Sequence, residues 1–273
     1  MPLQPGMYGL NQGWLFGGMY AAGSADPGYD DSGFSEVTLP HTVVPLSWGG
    51  WDPAEWEKVW IYRRHLNGSL LAGRRVFADF DGIMACATAV LNGTPLGSHR
   101  GGYLPWSLEL TGHLADGDNV LALIVDARCL PVPPHGGPGG ARAVDYLQPG
   151  GIYRDAALRV VPEIFLADVF ARPAAVLSAG RHVEVRCLVN AATAPPGPLT
   201  ITAELLDGPR RLATAATTVP IAAAAAVPEP MVVALDLRGA GDVTLWSPDH
   251  PKLYTVRAVL SAPAHGRGAA VTH

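Results

Sequence analysis

Two all-β sandwiches in series are what this sequence predicts, on three observations. Several short stretches alternate apolar and polar residues with period two. Gly 32 and Pro 25 among 273 residues punctuate the chain frequently. No stretch carries a helical apolar stripe long enough to stand as a helix.

Taken along the chain, Val76, Ala78 and Phe80 share one face of a strand while Phe77, Asp79 and Asp81 share the other. Asn92-Gly93 between two apolar runs is a hairpin signal. Val120 to Val125 is almost continuously apolar and follows Asp116-Gly117-Asp118-Asn119, as a central strand entered through a tight turn would be. Leu130 to Gly151 is the longest irregular stretch, with Pro131, Pro133, Pro134, Gly136, Gly137, Gly139 and Gly140. Strand signals resume in Ile152 to Val161, so this loop stays within the first domain. The change of domain falls near Val161-Pro162, before a fresh strand at Ile164 to Ala171, which gives domains 1–162 and 163–273. Val183, Val185, Cys187 and Val189 then alternate with Glu184 and Arg186, and Leu199, Ile201, Ala203 and Leu205 with Thr200, Thr202 and Glu204. Ala222 to Ala226 is bracketed by Pro220, Pro228 and Pro230, too short for a stable helix, and reads as an edge strand or loop.

Composition excludes several classes. Charged residues are 16 % of the chain, hydrophobic ones 48 %, and the net charge is −5. A disordered polyelectrolyte and a basic nucleic-acid binder are both ruled out, so no nucleic-acid partner is expected. Cys86, Cys129 and Cys187 are far apart, odd in number and in no C-x-x-C pattern, and read as buried thiols rather than a disulfide framework or zinc site. The N-terminus lacks a basic stretch followed by an apolar one, and no run approaches the roughly 20 apolar residues of a membrane span. The expectation is a soluble, cytoplasmic protein with no membrane partner. Neither G-x-S-x-G, H-E-x-x-H nor G-x-x-x-x-G-K-[ST] occurs. Asn67-Gly68-Ser69 and Asn92-Gly93-Thr94 match the glycosylation sequon but read as turns.

A series of short strings in a set order carries more. Leu10-Asn11 with Gly13-Trp14-Leu15-Phe16, then Val37-Thr38-Leu39-Pro40-His41-Thr42 and Trp60-Ile61-Tyr62-Arg63-Arg64, open it. Ala89-Val90-Leu91-Asn92-Gly93, Leu96-Gly97-Ser98-His99, Gly101 to Trp106 and Leu110-Thr111 follow, and Gly150-Gly151-Ile152-Tyr153-Arg154-Asp155 closes the first domain. Asp168 to Pro173 and Leu245 to Tyr254 supply two more in the second. Together, over about residues 10 to 260, the series resembles the front half of family 2 glycoside hydrolases, the β-galactosidase, β-glucuronidase and β-mannosidase family.

That resemblance implies a jelly-roll sugar-binding domain, then an immunoglobulin-like sandwich, and in the parent enzyme a TIM barrel holding both catalytic carboxylates. A barrel takes about 250 residues, so two sandwiches leave no room for one here. The chain alone is expected to be inactive, with no catalytic residue of its own, and the tail Gly266 to His273 to fall about where the second domain leads into the barrel. The parent is expected to be a retaining, β-galactosidase-like hydrolase acting on a β-linked sugar. Matching the family's D-x-x-x-x-x-G-I-[FY]-R pattern puts Asp145 where an aspartate contacts galactose hydroxyls and a bound sodium ion. Its other reading is a solvated loop carboxylate. No cofactor is expected within this chain, and a sodium or magnesium ion only in the full-length parent. Trp48 and Trp51 either line a sugar cleft by stacking on CH faces or pack in a core, whereas Trp14, Trp60, Trp106 and Trp246 read as core. Tyr103 and His41 read as structural, and Arg154 as a buried ion-pair partner. A free-standing carbohydrate-binding module and a structural or homo-oligomerisation element are the competing functional readings.

Overall fold

The structure, a computed structural model, describes residues 3–49, 52–71, 74–128, 147–192, 197–219, 230–261 and 271–272. The chain divides into two compact units, Met1–Val161 and Pro162–His273.

In the first unit the described strands are β1 (Gly6–Gly9), β2 (Trp14–Met19), β3 (Ser35–Val37), β4 (Val59–Asn67), β5 (Arg75–Phe80), β6 (Cys86–Leu91), β7 (Thr94–Arg100), β8 (Trp106–Glu109), β9 (Asp118–Asp126) and β10 (Ala156–Val161). They form a four-stranded sheet in the order β1-β10-β5-β8 and a six-stranded sheet in the order β3-β2-β4-β9-β6-β7. Every pairing between them is antiparallel. The core lies between the sheets, where Val76, Ala78, Phe80 and Leu158 of one meet Trp14, Tyr62, Ala89, Leu121 and Leu123 of the other. The alternation in β5 thus selects the buried face, and the apolar run Val120 to Val125 is central because β9 is flanked by β4 and β6. Asn92 and Gly93, at φ 51° and 81°, make the two-residue turn of the β6–β7 hairpin. Asn67 caps a short 3-10 turn through Ser69 N–H, so both sequons lie in turns.

The outer face of the six-stranded sheet is not left to solvent. Ile61, Val90 and Ala122 are covered there by Ala25 and Phe34. Gly17 makes the approach possible, because a Cβ at that position would sit 2.3 Å from the Phe34 ring. Among the described residues α-helix is confined to one turn, α1 (Pro53–Trp56), started by Asp52 accepting the Ala54 N–H and by Pro53 in the first helical turn.

The second unit contains β11 (Ile164–Ala174), β12 (His182–Ala191), β13 (Leu199–Asp207), β14 (Arg210–Val219), β15 (Met231–Arg238), β16 (Thr255–Ser261) and β17 (Val271–Thr272). One sheet runs β11-β12-β15 and the other β14-β13-β16-β17. Val185, Cys187 and Val189 of β12 pack against Leu199, Ile201, Ala203 and Leu205 of β13, each on the face its alternation assigns. Both units are therefore all-β sandwiches. Among the described residues no helix is long and apolar enough to cross a membrane.

The structure corrects three expectations. Strand begins at Ala156 rather than Ile152, because the Gly150 to Asp155 stretch bonds to loop residues instead of to a sheet. Trp246 is 59 % exposed rather than core, carried outward on a loop that Tyr254 pins. Arg154 is exposed and reaches the carbonyls of Asp81 and Tyr103 rather than a buried carboxylate. Cys187 is buried and Cys86 half-buried. Cys129 and the Ala222 to Ala226 run lie outside the described residues.

Candidate functional site

The short sequence strings of the first unit converge on one end of it. Two consecutive glycines, Gly150 and Gly151, with φ of 68° and 100°, are wedged between the His41 to Val43 segment and Met84. His41 N–H donates to Ile152 O at 2.8 Å and Val43 N–H to Gly150 O at 3.4 Å. On the other side Met84 and Gly151 exchange two backbone bonds, of 2.9 and 3.2 Å. A Cβ on Gly151 would lie 2.6 Å from His41 O and 2.8 Å from the Tyr62 hydroxyl, so no larger residue fits there without moving backbone.

Tyr62, fully buried on β4, organises this junction. Its hydroxyl accepts the Ile152 N–H and lies 2.8 Å from His41 Nδ1. A hydroxyl can donate once and accept twice, so this contact is satisfied with either ring nitrogen of neutral His41 carrying the proton. Burial pushes the Tyr62 phenol far above its ordinary pKa and pushes His41 below the usual imidazole range, so both stay uncharged. Phe16 packs on the His41 and Tyr62 rings at 4.9 Å from each. Farther along, Tyr153 donates to Gly102 O at 2.7 Å, and Asn11 spans the close of the segment by donating to Asp155 and accepting the Ala156 N–H. His41 is thereby the satisfied structural histidine that the sequence suggested.

Of the residues singled out as sugar contacts, Trp48 is described and stands fully exposed, on the loop that follows Val43. Trp51 and Asp145 lie outside the described residues. Tyr103 is 40 % exposed, its ring edge-on to Tyr153 at 6.4 Å. Trp14 and Trp60 are core, and Trp106 packs half-buried against it, stacked on His99. Among the described residues no three His, Cys, Asp or Glu side chains gather as a metal site would require.

Two residues escaped sequence reasoning. Gln148 is 3 % exposed, and its Oε1 has no hydrogen-bond partner among the described residues, while its amide approaches the Tyr103 hydroxyl at 3.4 Å. A glutamine inside a Pro/Gly-rich stretch gives no sequence signal of burial. Tyr62 was noted only within a strand string; its contacts lie 21 and 90 positions away along the chain, where periodicity says nothing.

Comparison with known proteins agrees with this architecture. Residues 51–132 match the family described as glycosyl hydrolase 2 galactose-binding domain-like. A β-galactosidase of Thermoanaerobacter pseudethanolicus is 31 % identical over 146 residues, 52 % of this chain and 19 % of the relative. One of Thermoanaerobacterium thermosulfurigenes is 31 % identical over 166 residues, 59 % of this chain and 22 % of the relative. A calcium-binding mutant of Bacteroides uniformis β-glucuronidase 2 shares the fold with a TM-score of 0.84 at 24 % identity, over 99 % of this chain and 32 % of that one. The chain thus spans about a fifth of the curated relatives and about a third of the solved one. Its first unit is similar, over residues 51–132, to the galactose-binding-like domains of glycosyl hydrolase 2.

Proposed function

We propose that this chain is the non-catalytic front segment of a retaining, β-galactosidase-like β-glycosidase, whose TIM barrel lies outside these 273 residues. The pinned Gly150 to Tyr153 end of the first unit then supports and lines the sugar cleft. The observation carrying this reading is the double anchoring of Gly151, to Met84 on one side and His41 and Tyr62 on the other. Such anchoring fixes the backbone next to Gln148, three residues after Asp145, and a polar group that must meet sugar hydroxyls needs a rigid support. Of the relatives at 31 % identity, three are named β-galactosidases and one a β-glucuronidase, and the balance favours galactose as the glycone. A sodium or magnesium ion belongs to the full-length parent in this reading, with ligands from beyond this chain, and a homo-oligomer is compatible with it.

Asp145→Asn in the full-length enzyme tests the assignment, since it keeps the size and one acceptor but removes the charge. Losing a charged acceptor of sugar hydroxyls costs about 1.5 to 3 kcal/mol, or roughly ten- to a hundredfold in kcat/KM. Unchanged kinetics would return Asp145 to a solvated loop and leave the first unit as scaffold.

Fully exposed Trp48 supports a second reading, a free-standing carbohydrate-binding module, since an aromatic face held in water is a stacking platform. That reading requires the 273-residue chain by itself to bind galactose or glucuronate with Kd of about 1 mM or better. The front-segment reading expects weaker binding, because most of its cleft is supplied elsewhere.

A further inference from the structure

The second unit carries an open groove of about 560 Å³ between the β11–β12 connection and the loop that leads into β16. Of the seven large hydrophobic residues exposed in the described part of this unit, five line it: Val176, Leu177, Leu245, Trp246 and Leu253. Leu177 and Leu253 are 85 % and 78 % exposed. A concave apolar site of this volume suits a small molecule, whose orientation a few polar groups set.

Charge at this groove has one sign. Among the described residues Arg181, His182 and Lys252 line it and no carboxylate does. Lys252 is already paired with Asp207 and lies over the Tyr254 ring. His182 Nδ1 lies 2.9 Å from Gly180 O, and because a carbonyl only accepts, that nitrogen donates. His182 Nε2 faces Glu184 Oε1 at 3.8 Å. The charge left to the groove is therefore that of Arg181.

Arg181 is also held in position. The turn before it is built on Ser178, whose N–H donates to Ala175 O at 3.0 Å and whose hydroxyl accepts Gly180 N–H at 3.2 Å. The Ser178 carbonyl accepts both the backbone N–H and Nε–H of Arg181, each at 3.2 Å. Nε is thus used, while the two terminal nitrogens have no hydrogen-bond partner among the described residues. A guanidinium fixed through Nε keeps a pair of donors that suits an anionic head group, and fixing it beforehand lowers the cost of binding.

We propose that this groove binds a small amphipathic anion, a carboxylate with an apolar tail, its tail against Leu177, Trp246 and Leu253 and its head on Arg181. Apolar walls with a single unpaired cation complement that ligand in both shape and charge, and disfavour a cation of the same size. The site lies wholly within the second unit and is independent of the front-segment reading, which stands or falls on other measurements.

Isothermal titration of the 273-residue chain with decanoate, and with decyltrimethylammonium as a cation of the same tail length, tests it. Decanoate should bind one per chain with Kd of about 0.1 mM or tighter, and the cation about tenfold more weakly or worse. Arg181→Gln should weaken decanoate about tenfold or more, the loss of a charge-assisted contact, and leave the cation unaffected. Leu177→Asp, at a position exposed enough not to disturb folding, should abolish decanoate binding by facing its tail with a like charge. Equal affinity for decanoate and the cation, or a decanoate Kd unchanged by Arg181→Gln or by Leu177→Asp, overturns the proposal. One decanoate per two chains assigns the groove to an interface between copies and also overturns it, as does no binding at about 1 mM decanoate.

Discussion

The guanidinium of Arg63, fully buried on the outer face of β4, donates from Nε to Asp31 at 2.7 Å, and the same carboxylate oxygen is 3.0 Å from His65 Nε2. The other Arg63 nitrogens donate to the carbonyls of Ser24 and Asp26, at 2.9 and 2.7 Å, and lie within 3.5 Å of those of Pro27 and Tyr29. One side chain thus gathers most of the covering over Ile61 and Ala122. Removing it takes a partner from the partly buried Asp31 carboxylate and from several carbonyls, so Arg63→Ala should destabilise the first unit by about 1 to 3 kcal/mol. Urea unfolding followed by tryptophan fluorescence should show the lower midpoint. A midpoint within error of the wild type would mean that residues 20–34 hold themselves.

His65 makes that covering sensitive to pH. Burial alone would disfavour the charged ring, but Asp118 at 2.7 Å and Asp31 at 3.0 Å outweigh it and raise the pKa above the usual imidazole value. Since the folded value is the higher one, the stabilisation is complete below an unfolded pKa of about 6.5. It is lost as pH rises through the folded value. His65→Gln should abolish this part of the pH dependence of the first unit's stability, which parallel denaturation series at stepped pH would show. A His65 titration by NMR at or below the ordinary value would contradict the clamp.

Tyr62→Phe keeps the ring and removes the hydroxyl shared by Ile152 N–H and His41 Nδ1. Two buried polar groups are then left short of a partner, at a cost of about 1 to 3 kcal/mol. Hydrogen exchange of the Ile152 amide should quicken, while amides of β9 at the sheet centre change little. Acid should act on the same junction by a different route, since burial holds the His41 pKa low. As pH falls below about 6.5, the unfolded chain takes up a proton that the folded ring refuses. Stability here therefore declines on acidification, opposite in sign to the His65 contribution.

The strands were legible wherever one face is wet. In β12 and β13, Val185, Cys187, Ile201 and Ala203 are buried as their alternation requires, and Asn92-Gly93 turns as its chemistry dictates. Trp246 reads as core by residue type, yet it is 59 % exposed on a loop whose Thr244 donates to the Tyr254 hydroxyl. Arg63 was read as one residue of a strand, although its partners lie 32 to 39 positions earlier. The site followed the same division. His41 and the glycine pair are visible as strings, whereas the burial of Gln148 and the bonding of the Tyr62 hydroxyl to Ile152 and His41 depend on contacts across the sandwich that no local pattern encodes.

The central claim, that these 273 residues serve a glycosidase without performing its chemistry, is tested most directly by turnover of the purified chain. An aryl β-galactoside and an aryl β-glucuronide are the substrates. Retaining hydrolysis needs an acid and a nucleophile about 5 to 5.5 Å apart, which this reading assigns to a barrel beyond His273. No release of the aryl alcohol above the rate in buffer is the predicted result. Turnover that co-purifies with the 273-residue chain to homogeneity would contradict it and place a complete active site within the two sandwiches.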